Sequence, residues 1–179
     1  MTHDASQSRR QGRIAAIFIT SEAGAPMQPL PAVQALENQG LAGDRYLKGR
    51  GTYSKKPGVD RQITLIEAEA LRYLEAERGT RLAPEESRRN LVTEGIALNP
   101  LVGQTFRVGE VTLQGVRLCE PCGYLAELTG KDVFEPMKGR GGLRARIVEG
   151  GTIRVGDPIA TAEAQAQPVA AAPPSQRKR

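Results

Sequence analysis

The stretch "GRGGLRARIVEGGTIRVGDPIA", residues 139–160, reads as strand, turn, strand, turn, strand. Leu143, Ala145 and Ile147 alternate with Arg144 and Arg146, so an extended backbone puts the apolar side chains on one face and both guanidinium groups on the other. The adjacent glycines Gly150 and Gly151 are a hairpin-turn candidate, and Gly156–Asp157 is a tight-turn signal. The same device occurs upstream in "FRVGEVTL", 106–113, where Gly109 and Glu110 interrupt an apolar alternation. That likeness spans eight residues, too few for an internal repeat.

Working outward, further runs read as strands: "GRIAAIFIT" (12–20), "RQITLIE" (61–67), "NLVT" (90–93), "QTFRV" (104–108) and "VTLQGVRL" (111–118). One segment has a clear helical period. In "EAEALRYLEAERG", 67–79, Ala68, Leu71 and Leu74 share a face and Gly79 is placed to cap the C-terminus. "PEESRRN", 84–90, suits a single helical turn, and the latter half of "CEPCGYLAEL", 119–128, suits a short helix with Tyr124, Leu125 and Leu128 inward. Many short strands, tight turns and few helices predict a mainly β chain, a barrel or sandwich with helical decoration.

Composition agrees. The chain has 179 residues, 39% of them hydrophobic, with no Trp, three Phe and four Tyr, so its core must be aliphatic. No apolar run approaches the roughly 20 residues of a membrane-spanning helix, and "MTHDASQSRRQG" lacks the apolar segment of a signal peptide. The expectation is a soluble, cytoplasmic protein with reduced thiols, not a membrane protein. The net charge of +5 suggests nucleic acid until the charges are located. Arg9 and Arg10 outweigh Asp4 near the start, and Arg177, Lys178 and Arg179 outweigh Glu163 near the end. The body between carries little excess charge and few aromatics to stack on bases, which argues against nucleic-acid binding. The organisation expected is a disordered tail over 1–12, one domain over 13–160, and a disordered Ala/Pro/Gln-rich basic tail over 161–179.

Both cysteines, Cys119 and Cys122, lie in "RLCEPCGYL". The single histidine, His3, is in the N-terminal tail, so a Cys-His or Ser-His-Asp nucleophile system has no base within the domain. Two cysteines make half of a four-ligand zinc site, which one chain completes only with carboxylates or a second subunit. A redox dithiol, a sulfur-handling nucleophile and plain packing of two small apolar residues stay open. Several arginines stand beside glycines or turns: Arg45, Arg61, Arg88, Arg89, Arg140, Arg144 and Arg146. Guanidinium pairs on one sheet face grip phosphate or carboxylate in a bidentate fashion, although alternating arginines are also an ordinary solvated face. Together they point to a small anionic ligand.

"GLAGDRY", "RQITLIEAEAL", "RRNLVTEGIALNPLVGQTFRVGEVTLQGVRLCEPC" and "GRGGLRARIVEGGTIRVGD", in this order and spacing, resemble the MOSC domain, named for the C-terminal domain of molybdenum cofactor sulfurase. The resemblance covers nearly all of 13–160 and is to a stand-alone bacterial-type member. It implies a β-rich MOSC-type barrel and a role with molybdenum cofactor (molybdopterin) or in sulfur transfer. The family's cysteine pattern matches Pro121-Cys122-Gly123-Tyr124-Leu125, so Cys122 is implied as sulfur carrier or molybdenum ligand, with Cys119 assisting. A cofactor phosphate and pterin would call on Arg61, Arg89, Asn90, Arg144, Asp44 and Arg140. Where many relatives carry a histidine after the "GD" pair, this chain has Gly43-Asp44-Arg45-Tyr46. Pyridoxal phosphate binding also belongs to the sulfurase, but its pyridoxal-phosphate domain is absent from this sequence. Sulfur would therefore come from a donor, or electrons from a redox partner protein, with reduction of N-hydroxylated compounds as one activity. A CxxC dithiol redox protein and a non-enzymatic anion-binding module are the alternatives, and the oligomeric state is not legible.

Overall fold

Each of the runs read above as a strand is one in the structure, a computed structural model that describes residues 12–161. Apart from Gly12 and Thr161, which end the first and last strands, the expected tails lie outside the described residues. The strands are β1 (Gly12–Ile19), β2 (Gln28–Pro29), β3 (Ala32–Leu36), β4 (Gly40–Leu41), β5 (Ile63–Glu67), β6 (Leu91–Glu94), β7 (Thr105–Val108), β8 (Val111–Leu118), β9 (Leu143–Glu149), β10 (Gly151–Arg154) and β11 (Pro158–Thr161). Two α-helices accompany them, α1 (Ala68–Arg78) and α2 (Gly123–Thr129).

Seven of these strands close on themselves in the order β11-β7-β8-β9-β5-β6-β1, and β1 returns to β11 through Gly12↔Ile159 and Arg13↔Pro158. Closure removes the free edges that a sheet of short strands would otherwise expose. All pairs are antiparallel except β5–β6, where Leu65 faces Leu91 and Ile66 faces Val92 in parallel. Parallel neighbours need a crossover, and α1 with the segment after it supplies one.

The barrel alternates as the sequence predicts. Leu143, Ala145 and Ile147 of β9 fill the interior beside Ile63, Leu65 and Leu113, all fully buried. Outward-facing Phe18, Ile66 and Val92 form a second apolar layer with Leu71 and Leu74 of α1 and Leu125 of α2. The barrel thus has a dry inside and, on one flank, a helix-covered outside.

Two expectations need correction. Gly150–Gly151 does not make a hairpin: β10 leaves the barrel to pair with β3 in a separate three-stranded sheet, β10-β3-β4. The reason is that β9 already has β8 on one edge and β5 on the other, so no edge is free for β10. Gly156–Asp157 likewise carries the chain back from the small sheet to the barrel, and only Gly109–Glu110 joins strands that pair with each other, β7 and β8. In α2, Leu125 is buried as expected, but Leu128 is 41% exposed.

Candidate functional site

The strand β8 ends at Leu118, and the next four residues carry the chain into α2. Cys119 lies at the strand's exit and Cys122 immediately precedes the helix, in an extended conformation. The glycines of "GRGG" set this position. The Cys119 amide donates to the Gly142 carbonyl at 2.7 Å. A Cβ on Gly141 would stand 2.2 Å from the Cys119 carbonyl oxygen, and one on Gly142, whose φ is +106°, would stand 2.0 Å from that of Leu65. No side chain fits at either place, so the glycines serve a close approach of backbones.

Arg89 locks the same junction. It is nearly buried, with Nε donating to the Gly141 carbonyl (2.9 Å), Nη1 to Ser87 (3.1 Å) and Nη2 to Cys119 (3.2 Å). Three carbonyls from three segments thus converge on one guanidinium.

Above this junction opens a cleft lined by Arg45, Arg88, Arg89 and Arg144, the two cysteines, and Tyr46, Tyr53 and Tyr124 among others. The two thiols differ. Cys119 is 1% exposed, whereas Cys122 is half-buried, and both are free. The Tyr53 hydroxyl donates to the Cys122 sulfur at 3.7 Å. That hydrogen bond, reinforced by burial, raises the Tyr53 pKa above its ordinary value. Arg88 sits in the left-handed region at φ 64° and reaches across to the Ala25 carbonyl. Its burial, and next the positive charge of Arg45, lower its pKa. Among the described residues the only acid on the lining is Glu120, exposed and engaged by the Gly139 amide at 2.9 Å. The cleft is therefore a cationic hollow with one half-open sulfur. Its volume, about 50 Å³, holds a few waters or one tetrahedral oxyanion, and anything larger must extend outward. Among the described residues no lysine lines it.

The residues expected to hold a cofactor separate into three groups. Arg89 and Arg144 line the cleft, and Arg61 stands close by, its guanidinium carbon 5.3 Å from the Tyr53 ring centroid. Asp44 and Asn90 do not line it; they form a buried knot beneath. Asn90 Oδ1 accepts from the Thr64 amide (3.1 Å) and hydroxyl (3.0 Å), while its Nδ2 donates to the Phe18 carbonyl (3.2 Å) and Asp44 (3.3 Å). Asp44 also accepts from the Tyr46 amide and pairs with the buried Arg45. Arg140 is elsewhere again, stacked on the Tyr73 ring of α1 at 4.0 Å. Sequence reasoning missed Tyr53, because an aromatic within "GTYSKKPG" belongs to no periodic run. It did register Arg45 and Arg88 as anion candidates without carrying them forward as cofactor-binding residues.

No curated protein sequence matches the chain. Among solved structures, the YuaD protein from Bacillus subtilis superposes with a TM-score of 0.70 at 17% identity, covering 83% of this chain and 94% of that one. YiiM from Geobacillus stearothermophilus gives 0.64 at 18% identity over 84% of this chain and 75% of that one. YiiM from Escherichia coli gives 0.61 at 21% over 84% and 69%. At such identities the likeness is one of fold. The MOSC domain model matches residues 51–160, a span that begins just before Tyr53 and takes in both cysteines, both helices and β5 through all but the last residue of β11. By that match the chain belongs to the MOSC domain family, a family associated with molybdenum cofactor.

Proposed function

We propose that the chain binds molybdenum cofactor, or carries sulfur as a persulfide, at Cys122 in the arginine-lined cleft. One observation supports this above the others: the half-buried Cys122 sulfur opens into the same hollow as Arg45, Arg88, Arg89 and Arg144. The donor set suits the group. A thiolate is a soft ligand for molybdenum, and guanidinium groups with unspent N–H donors suit its phosphate and polar pterin. Of the two cysteines, Cys119 is 1% exposed and Cys122 half-buried, so Cys122 would be the sulfur ligand. When bound, the cofactor supplies a metal that exchanges an oxygen atom with two electrons, the chemistry that reduction of an N-hydroxylated compound with a redox partner would need.

The chain's own residues hold, orient and shield. Tyr53 fixes the direction of the Cys122 side chain through its hydrogen bond. Arg89 holds the loops that shape the cleft floor. In the persulfide version, the Cys122 thiolate attacks the outer sulfur of a donor persulfide. A new S–S bond forms on Cys122 as the donor's S–S bond breaks and the donor leaves as a thiolate. No outside oxidant is required.

The test is purification of the full chain from cells competent in cofactor synthesis, followed by assay of molybdenum and pterin and by mass analysis of Cys122 after exposure to a persulfide donor. Metal and pterin, or a mass gain of one sulfur on Cys122, lost in Cys122→Ser, is the result expected. Absence of all three in the unaltered chain sinks the proposal.

A further inference from the structure

Arg45 and Gln62 are buried, and no residue between them is. The middle of this run, residues 51–58, is a strap of turns that forms one wall of the cysteine cleft. On its near side Thr52 and Tyr53 line the cleft. On its far side Ser54, Pro57 and Gly58 line a second hollow of about 540 Å³. The strap is a thin partition with open space at its back.

Its hydrogen bonds are almost all internal. The Gly51 amide donates to the Ser54 hydroxyl at 2.8 Å, the Ser54 amide to the Gly51 carbonyl at 3.0 Å, and the Lys56 amide to the Tyr53 carbonyl at 3.0 Å. The Gly58 carbonyl accepts from the Arg61 amide at 3.1 Å, within the 3-10 turn Val59–Arg61 that leads into β5. Among the described residues, a single hydrogen bond ties 51–58 to anything beyond that turn: Tyr53 to the Cys122 sulfur. Two ring contacts accompany it. The Arg61 guanidinium faces the Tyr53 ring, and Gly51 lies so near the Tyr46 ring that a Cβ there would stand 2.4 Å from it. A segment with so little buried surface belongs to the least stable part of a fold and opens locally, without unfolding of the barrel.

We propose that residues 51–58 are a gate on the cysteine cleft, latched by the Tyr53–Cys122 hydrogen bond and released when the sulfur takes on a substituent. A hydroxyl donates more strongly to an anionic acceptor than to a neutral one. A thiolate at Cys122 therefore holds the gate shut, and bond formation at that sulfur takes the charge off it and weakens the latch. The cleft, about 50 Å³, also leaves a substituent little room beside the tyrosine, so both effects push the same way. With the gate open, cleft and hollow join around Tyr46, which lines both. The joined space is in the range, roughly 300–1,000 Å³, of small-molecule sites. That the gate serves sulfur transfer or cofactor entry rests on the reading of Cys122 given above; the latch itself does not.

The experiment is limited tryptic digestion of the full-length chain under native conditions, before and after alkylation with iodoacetamide, read by mass spectrometry. Lys55 offers a cut within the strap, and the sealed Cys119 leaves Cys122 as the thiol alkylated. Cutting after Lys55 should accelerate about fivefold on alkylation, the scale of one neutral hydrogen bond, because cleavage follows the open population. Tyr53→Phe should show the same acceleration without alkylation and gain little more from it. The cut after Arg154, at the end of β10, should not change in either case. A Lys55 rate indifferent to either change overturns the latch. Equal acceleration at Lys55 and Arg154 overturns the gate as a local device. Neither result touches the assay of metal, pterin or added sulfur at Cys122, which does not read the strap. Melting curves report whether Tyr53→Phe folds; should it fail, the alkylated wild type carries the expectation by itself.

Discussion

Two polar regions flank Thr64 of β5, and they are built on opposite principles. On one side Asp44, Asn90 and Thr64 form a knot in which Asn90 uses both ends of its amide and Asp44 both carboxylate oxygens. On the other, Arg61, Arg144 and Arg146 each hold a buried Nε with no hydrogen-bond partner among the described residues. The first pattern is that of groups serving the fold, since buried polar atoms stabilise a structure only when satisfied. The second is that of donors the folded residues leave unsatisfied. Residue type alone does not separate them, because Asp44, Asn90 and Arg144 all look equally suited to a ligand in the sequence.

The contrast can be broken by mutation. Asp44→Ala should have the largest effect, about 3–5 kcal/mol of lost stability in urea unfolding, because it strands the buried Arg45 without its counterion. Asn90→Ala should follow at about 2–3 kcal/mol, through the unmet partners on Thr64 and Phe18. A result within experimental error of wild type for both would mean the knot is not structural.

The two cysteines sharpen the same lesson at the scale of single atoms. With Cys119 sealed and Cys122 open, Ellman's reagent should modify one thiol per native chain and two in denaturant. Rapid reaction of both in the native state, or a disulfide between them across a redox series, would favour a dithiol role.

A smaller effect is expected at Lys131–Glu86, a partly exposed pair. Lys131, and next the Ala83 amide, depress the Glu86 pKa below its ordinary 4.5. A depressed carboxylate contributes stability above its unfolded value and loses it as pH falls through the folded one. Lys131→Met should therefore cost about 0.5 kcal/mol at neutral pH, and its melting curve should merge with wild type as Glu86 protonates. Smallest of all, Arg146→Gln should change stability by less than about 0.5 kcal/mol. A large loss there would mean the arginine wall is structural after all.

Much of the barrel was legible in the sequence: β9, buried on one face, shows period two in Leu143, Ala145 and Ile147, while β5 and β6, buried on both faces under the helices, read as continuous apolar runs. The three-stranded sheet was not: β3 is five residues and β4 two, too short to show a period. Nor was the destination of β10, since a glycine pair signals a change of direction and not the partner that follows. At the site, the motif around Cys122 and the arginines stood out by composition. What could not be read was which polar atoms find partners, as with Asn90 and Arg140, or that a loop tyrosine would meet the sulfur.

Gly12 lies opposite Ile159, so the first and last described strands are lateral neighbours in one ladder. The ring of strands accordingly has no privileged seam. A circular permutant that joins residue 12 to residue 161 through a short linker and opens at the Gly109–Glu110 turn would keep every pairing. Domains fused at either end of residues 12–161 would hang from the same rim.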